Sequence, residues 1–177
     1  AKNRIKKTGF VPVMGQVLFS ALVVPLLKLQ SQKRKTYLVS KYGLNSSAIN
    51  SSKIYRVNSA NDEGSLKAIQ LLQPDIIVVN GTRIISKKIL QSTNAIFVNM
   101  HVGITPYYRG SHGGYWALRN KDAGNFGTTI HLIDASVDND AVIKQVFIKP
   151  NKPDNFATYQ ILHASVGIDE LKKVLTN

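Results

Sequence analysis

At 177 residues and 44% apolar composition, the chain suits one domain with a full hydrophobic core and argues against wholesale disorder. It has no cysteine, which excludes disulfides, thiolate nucleophiles and cysteine-ligated metal centres and fits a cytoplasmic protein. The formal charge of +13, with a pI near 10.0, fits an anionic partner (a phosphorylated or nucleotide-linked substrate, a polyglutamated cofactor, RNA or an acidic membrane) or simply a solvated basic surface.

Residues 1–52 read as a basic and apolar arm. Phe10 to Leu27 carries no charge and lies between Lys2–Lys7 and Lys28–Lys35. Its length reaches the lower edge of a membrane span, but Pro12, Gly15, Gln16, Ser20 and Pro25 interrupt it. A buried or surface-lying helix over Val13–Leu29, kinked or split at Pro25, is the better expectation, with contact of residues 10–29 to a membrane surface as an option. An alternative places a short strand and glycine turn at Phe10–Gly15. Thr36–Ser52 reads mostly as loop.

Residues 53–177 read as an α/β domain. Lys53–Val57 is a strand candidate. Ser59–Glu63 starts a helix whose Leu66, Ile69 and Leu72 share a face, and Pro74 stops it. Ile76–Val79 is a continuous β-branched run, as in a strand covered on both faces. Asn80-Gly81 closes it, Ser86–Gln91 is a short helix, and Ile96–His101 is the next strand. This alternation predicts an open parallel sheet, with ligands at the carboxyl ends of its strands. Thr128–Ile133 and Ala141–Ile148 should pair antiparallel. Asp154-Asn155 can cap a last helix, Phe156–Leu175, with Tyr159, Leu162, Val166, Leu171 and Leu175 facing inward.

Several side chains are candidates for chemistry. Asn99 and His101, two apart on one strand, share a face. A loop rich in Gly and Pro follows, with Arg109 and His112, and Asp138 lies in an acidic turn downstream. Asp138 can equally be a turn residue bonding its own backbone. His131 reads as a satisfied core histidine or a supporting group, His163 as packing or surface. No histidine pair has metal-ligand spacing, so no metal is expected.

Asn99-Met100-His101 followed by Pro106-Tyr107-Tyr108-Arg109-Gly110 resembles the Asn-x-His signature of the folate-dependent formyltransferase superfamily. That superfamily includes glycinamide ribonucleotide, methionyl-tRNA and sugar N-formyltransferases. Thr129-Ile130-His131 and Asp138 are similar to the second half of the signature, and Asn80-Gly81-Thr82-Arg83-Ile84-Ile85 to the segment lining the folate pocket. The resemblance covers roughly residues 74–148. It differs at Asn139-Asp140, where the family turn usually contains glycine, and at Val102–Pro106. The family's opening strand and phosphate loop are also not evident in residues 1–50, where the start of the domain is either incomplete or replaced.

The resemblance implies a Rossmann-like open twisted, mostly parallel sheet flanked by helices, with an antiparallel strand pair near the C-terminus. It implies an enzyme that moves a formyl group from 10-formyltetrahydrofolate to a primary amine. Catalysis would fall to Asn99, His101 and Asp138: the first two stabilise the oxyanion, and the third raises the His101 pKa and relays the amine proton. Thr82, Arg83, Ile84, Ile85, Asp134 and Val137 would bind the folate. Arg109 and His112 would contact the substrate, unless Arg109 only positions its own loop. A small anionic amine, an amino sugar or a phosphorylated amine, is expected over tRNA, since the tRNA enzymes usually carry a further C-terminal barrel. A second reading is a catalytically degenerate module of the same fold that binds RNA or an anionic membrane.

Overall fold

The computed structural model describes residues 9–45, 47–133 and 141–176. Asp134, Val137, Asp138 and the Asn139-Asp140 turn lie outside them.

The first helix, α1, runs unbroken from Phe10 to Gln30. Its turn Phe19–Val23 is π-helical, immediately ahead of Pro25. Proline has no N–H to bond the carbonyl four residues back, and its ring crowds that carbonyl. One widened turn accommodates this without ending the helix. The alternative strand at Phe10–Gly15 is therefore not formed.

Helix α2, Gln32–Lys41, occupies a stretch expected in part to be loop. Tertiary packing decides it: Leu38, 1% exposed, enters the core beside Ala117, Phe126, Ile148, Tyr159 and Leu162. Arg34 grips Asp154 with two hydrogen bonds, from Nε to Oδ1 at 2.8 Å and from Nη2 to Oδ2 at 2.9 Å. That carboxylate raises the Arg34 pKa above its ordinary value. At the α1–α2 junction, Asn155 Nδ2 donates to Ser31 Oγ at 2.9 Å.

The strand expected at Lys53–Val57 is absent. Ser51–Lys53 is a single 3-10 turn, and Ile54–Val57 runs exposed with no strand partner among the described residues. Helix α3, Glu63–Leu72, starts at Asp62, whose carboxylate accepts the Ser65 N–H at 2.8 Å. The Asp62 carboxylate also accepts the N–H groups of Asn58 and Ser59. These backbone donors, Ser65 foremost, hold its pKa below the usual carboxylate value.

The sheet is mixed, in the order β1 (Ile76–Val79), β2 (Ile96–His101), β3 (Gly127–Ile133), β4 (Val142–Phe147). β1 and β2 are parallel, while β2–β3 and β3–β4 are antiparallel. The parallel pair is linked through α4, Lys87–Leu90, and the antiparallel pair β3–β4 lies near the C-terminus as expected. Ile85, Ile89 and Phe97 form the core on one face, against Leu66 and Ile69 of α3 and Ile77 and Val79 of β1. On the other face, α6 (Tyr159–Thr176) packs Leu171 against Val98 and Ile130. Gly167 allows this approach, because a Cβ there would lie 2.6 Å from the Met100 sulfur.

Two expectations of burial need correction. β1 is an edge strand whose Ile76 and Val78 are 41% and 45% exposed, so its β-branched run is covered on one face only. In α6, Tyr159, Leu162 and Leu171 are buried, but Leu175 is exposed, and in that last turn it is Val174 that packs against the Val98–Ile130–Leu171 core.

Candidate active site

Strand alternation puts Asn99 and His101 on the same face of β2, at its carboxyl end. The antiparallel register sets His131 opposite Asn99 and Thr129 opposite His101. The turn after β1 runs alongside, and together these segments surround a cleft of about 680 Å³. Val79–Ile85 form one side, Asn99–Val102 and His131 the floor, and Gly110–His112 the far wall.

The hydrogen bonds fix the tautomers. His131 Nδ1 lies 3.0 Å from the Leu132 carbonyl, which can only accept, so Nδ1 carries a proton. In the neutral ring Nε2 is then an acceptor, and it receives the Asn99 amide N–H at 2.9 Å. One amide hydrogen of Asn99 is thereby committed to His131, which turns the side chain so that its second N–H is directed elsewhere. His101 Nε2 donates to the Tyr108 carbonyl at 2.9 Å. Its Nδ1 is therefore the basic nitrogen of the neutral ring, and becomes a donor when the ring is protonated.

The loop from Val102 to His112 is held on several sides. Thr129 Oγ1 donates to the Gly103 carbonyl at 2.8 Å and accepts the Thr105 N–H at 3.1 Å. Gln145 donates to the Thr105 carbonyl at 2.6 Å, and the Tyr108 hydroxyl donates to Asp122 at 2.9 Å. A Cβ on Gly113 would sit 2.6 Å from the Val102 carbonyl oxygen and 2.8 Å from the Gly103 Cα, so only glycine fits at that base. His112, at φ 65°, starts α5 (Gly113–Arg119), and the Tyr159 hydroxyl bonds its Nδ1.

Asn99, His101, Thr82, Arg83, Ile84, Ile85 and His112 all line the cleft. Their surroundings differ. The Ile84 side chain is 93% exposed and offers an apolar surface, whereas Ile85 is buried and also belongs to the core below. Arg109 is exposed and does not line the cleft, although neighbouring Gly110 does. No cluster of three potential metal-ligating side chains occurs among the described residues.

Two supporting residues were not singled out as such from the sequence. Asn61 donates to the Ile84 carbonyl at 2.8 Å and accepts the Ser86 N–H at 2.8 Å, fixing the wall of the cleft across 23 residues of chain. Thr129 does the same for the opposite loop. A threonine within an otherwise buried strand was the available signal for Thr129; Asn61 gave none beyond its place near a helix start. His163, by contrast, is fully buried in α6, and burial pushes its pKa down to about 4. Its Nδ1 lies 3.2 Å from Thr128 Oγ1, so it packs behind the sheet.

These features define an α/β domain whose ligand cleft opens at the carboxyl end of its parallel strands, with an amide and an imidazole on its floor. The chain belongs to the formyl transferase family, whose model matches residues 20–160. A methionyl-tRNA formyltransferase of Thermodesulfovibrio yellowstonii is 31% identical over 120 residues, which cover 63% of this chain and 39% of that protein. The chain thus spans about two fifths of the length of the curated relatives it matches. The phosphoribosylglycinamide formyltransferase structure from Streptococcus pneumoniae has 26% identity and a TM-score of 0.53, covering 78% of both chains. The same fold occurs in the formyltransferase PseJ of Anoxybacillus kamchatkensis, in complex with UDP-4,6-dideoxy-4-formamido-L-AltNAc and tetrahydrofolate. It has 19% identity and a TM-score of 0.54, and covers 70% of this chain and 61% of that one.

Proposed function

We propose that the protein transfers a formyl group from 10-formyltetrahydrofolate to the primary amine of a small anionic substrate, an amino sugar or a phosphorylated amine. The observation that carries this reading is the Asn99–His101 pair on the cleft floor, opposite the Asn80–Ile85 wall, in a chain of the formyl transferase family. The cleft volume lies within the usual range for small-molecule sites. Val79, Ile84 and Ile133 supply apolar surface for a flat ring, and Asn80 and Thr82 supply polar contacts. These residues fit a folate.

When bound, 10-formyltetrahydrofolate supplies the electrophilic formyl carbon. The amine nitrogen bonds that carbon, the carbon–N10 bond breaks, and the proton lost by the amine is returned to N10. Asn99 would offer the acyl oxygen, where negative charge develops, the amide N–H that His131 does not take. His101, held through Nε2–H on Tyr108, presents Nδ1 to the same region: protonated, it donates to the oxygen, and neutral, it accepts the amine proton. Asp138 is assigned, from the family motif, to hold His101 protonated and relay the proton. Arg83 lines both this cleft and an adjoining one beside Val57–Ala60, and supports an anionic group on the substrate or on the folate. Asp134 and Val137 complete the folate contacts in this reading, and His112 and Arg109 the substrate side.

Titration with a folate analogue, read by calorimetry in the wild type and in Asp138→Ala, tests the proposal. Binding in both proteins is expected, with formyl transfer lost in Asp138→Ala. Absence of folate binding by the wild type would overturn it. The 31% identical tRNA formyltransferase supports initiator tRNA as the rival acceptor. Comparing formylation of amino sugar nucleotides, phosphorylated amines and charged initiator tRNA separates the two.

A further inference from the structure

Helix α1 is predominantly apolar, with a mean hydropathy of 2.1 over an 18-residue stretch, and Val13 is its only buried residue. Its less exposed residues, Val13, Val24 and Leu27, align with buried Ser31 on one stripe turned to the protein body. The opposite stripe carries Val11, Leu18, Leu22, Leu26 and Leu29, each at least half exposed. Free apolar patches of this extent mark a binding surface.

Charge identifies what covers it. The first 61 residues hold eleven Lys and Arg and no carboxylate, the first being Asp62. Lys28 and Lys33 are exposed at the C-terminal end of α1 and the start of α2, and Lys2, Arg4, Lys6 and Lys7 precede the helix in sequence. An apolar stripe between cations matches lipid chains beneath anionic headgroups. RNA would use the cations and leave the leucines in water.

We infer that α1 lies flat on an anionic lipid bilayer, burying the Val11–Leu29 stripe while Lys28 and Lys33 meet lipid phosphates. The helix is long and apolar enough to cross a membrane. Its attachment argues against spanning. Phe19, near its middle, makes an edge contact with Phe156 at 5.2 Å, and Phe156 stacks on His112 at 6.1 Å. A span would pull α1 off the body that carries the cleft; a surface-lying helix keeps these contacts and holds the cleft wall near the membrane.

Flotation of the 177-residue chain with vesicles tests this independently of any formyl transfer. Binding is expected to vesicles of 30% phosphatidylglycerol in phosphatidylcholine, and only weakly to phosphatidylcholine alone. K28Q/K33Q should weaken binding roughly tenfold. L22Q/L26Q/L29Q, which alters only exposed positions, should weaken it roughly 100-fold or more, with an unchanged circular dichroism spectrum confirming the fold. Four results would overturn the inference: no vesicle binding by the wild type; equal binding to neutral vesicles; dimerisation through α1 or RNA binding in place of vesicle binding; and association that survives alkaline carbonate with α1 protected from protease, which is a span.

Discussion

From Gly103 to Gly113 the chain is tied at short intervals: to β3 through Thr129, to β4 through Gln145, to Asp122 through Tyr108 and to α6 through His112. From Phe10 to Gln30 the chain touches the body along one stripe and shows most of its apolar side chains to solvent. The two segments are joined through Phe156 and yet are stabilised differently. The loop owes its shape to long-range polar contacts that hold its backbone in one arrangement, as catalytic constellations require. Helix α1 owes its shape to local backbone bonding, and its side chains are left for something outside the chain.

The largest expected effect lies in the tied region. Asn99→Ala removes the donor at the cleft floor and should lower kcat by roughly 100- to 1000-fold with a small change in KM, read in a formyl-transfer assay. A loss expressed mainly in KM would place Asn99 in binding alone.

Leu38→Ala comes next. It empties a fully buried site where α2 meets the core, and should cost roughly 3 kcal/mol in urea denaturation. A small loss would put α2 with α1, as a loosely attached arm.

The pH dependence of stability follows from His163. Its folded pKa of about 4 lies below the ordinary 6.5 because burial disfavours the charged ring. The unfolded chain therefore takes up the proton first. The neutral ring's contribution is fully present above pH 6.5 and declines as pH falls towards 4, by about 3 kcal/mol in total. Urea midpoints measured between pH 4 and 7 should show this slope in the wild type and a flatter one in His163→Gln.

The smallest effect is expected at Leu22→Gln, in the outward stripe of α1. It should change the folding free energy in water by about 0.5 kcal/mol or less, although Leu22 and Leu38 are the same residue type 16 positions apart. A large loss would mean that α1 is folded into the body on that side.

Much of the sheet was legible because periodicity and turn residues agree with tertiary structure at Ile76–Val79, Ile96–His101 and Thr128–Ile133. The site pair was legible for the same reason, since strand alternation alone places Asn99 with His101. Burial at β1 was not, because a β-branched run reports the propensity of a strand and not the number of its neighbours. The extent of α2 was missed because Gln32–Lys41 is mostly polar and depends on one inserted leucine. Lys53–Val57 has strand-like composition, but no neighbouring strand pairs with it. The hydrogen bonds from Asn61 and Thr129 join residues more than 20 positions apart, and no local pattern encodes such a pairing.

The contact between Gly113 and the Val102–Gly103 backbone has a consequence for how this site can diversify. Where main chain touches main chain there is no side chain to exchange, so the base of the loop is closed to gradual change. Variation in what the cleft accepts has to be written on side chains that line it, at Ser111 and His112 and on the wall at Thr82–Ile84. A library that varies those positions and leaves both glycines untouched would explore new acceptors while keeping the loop's frame.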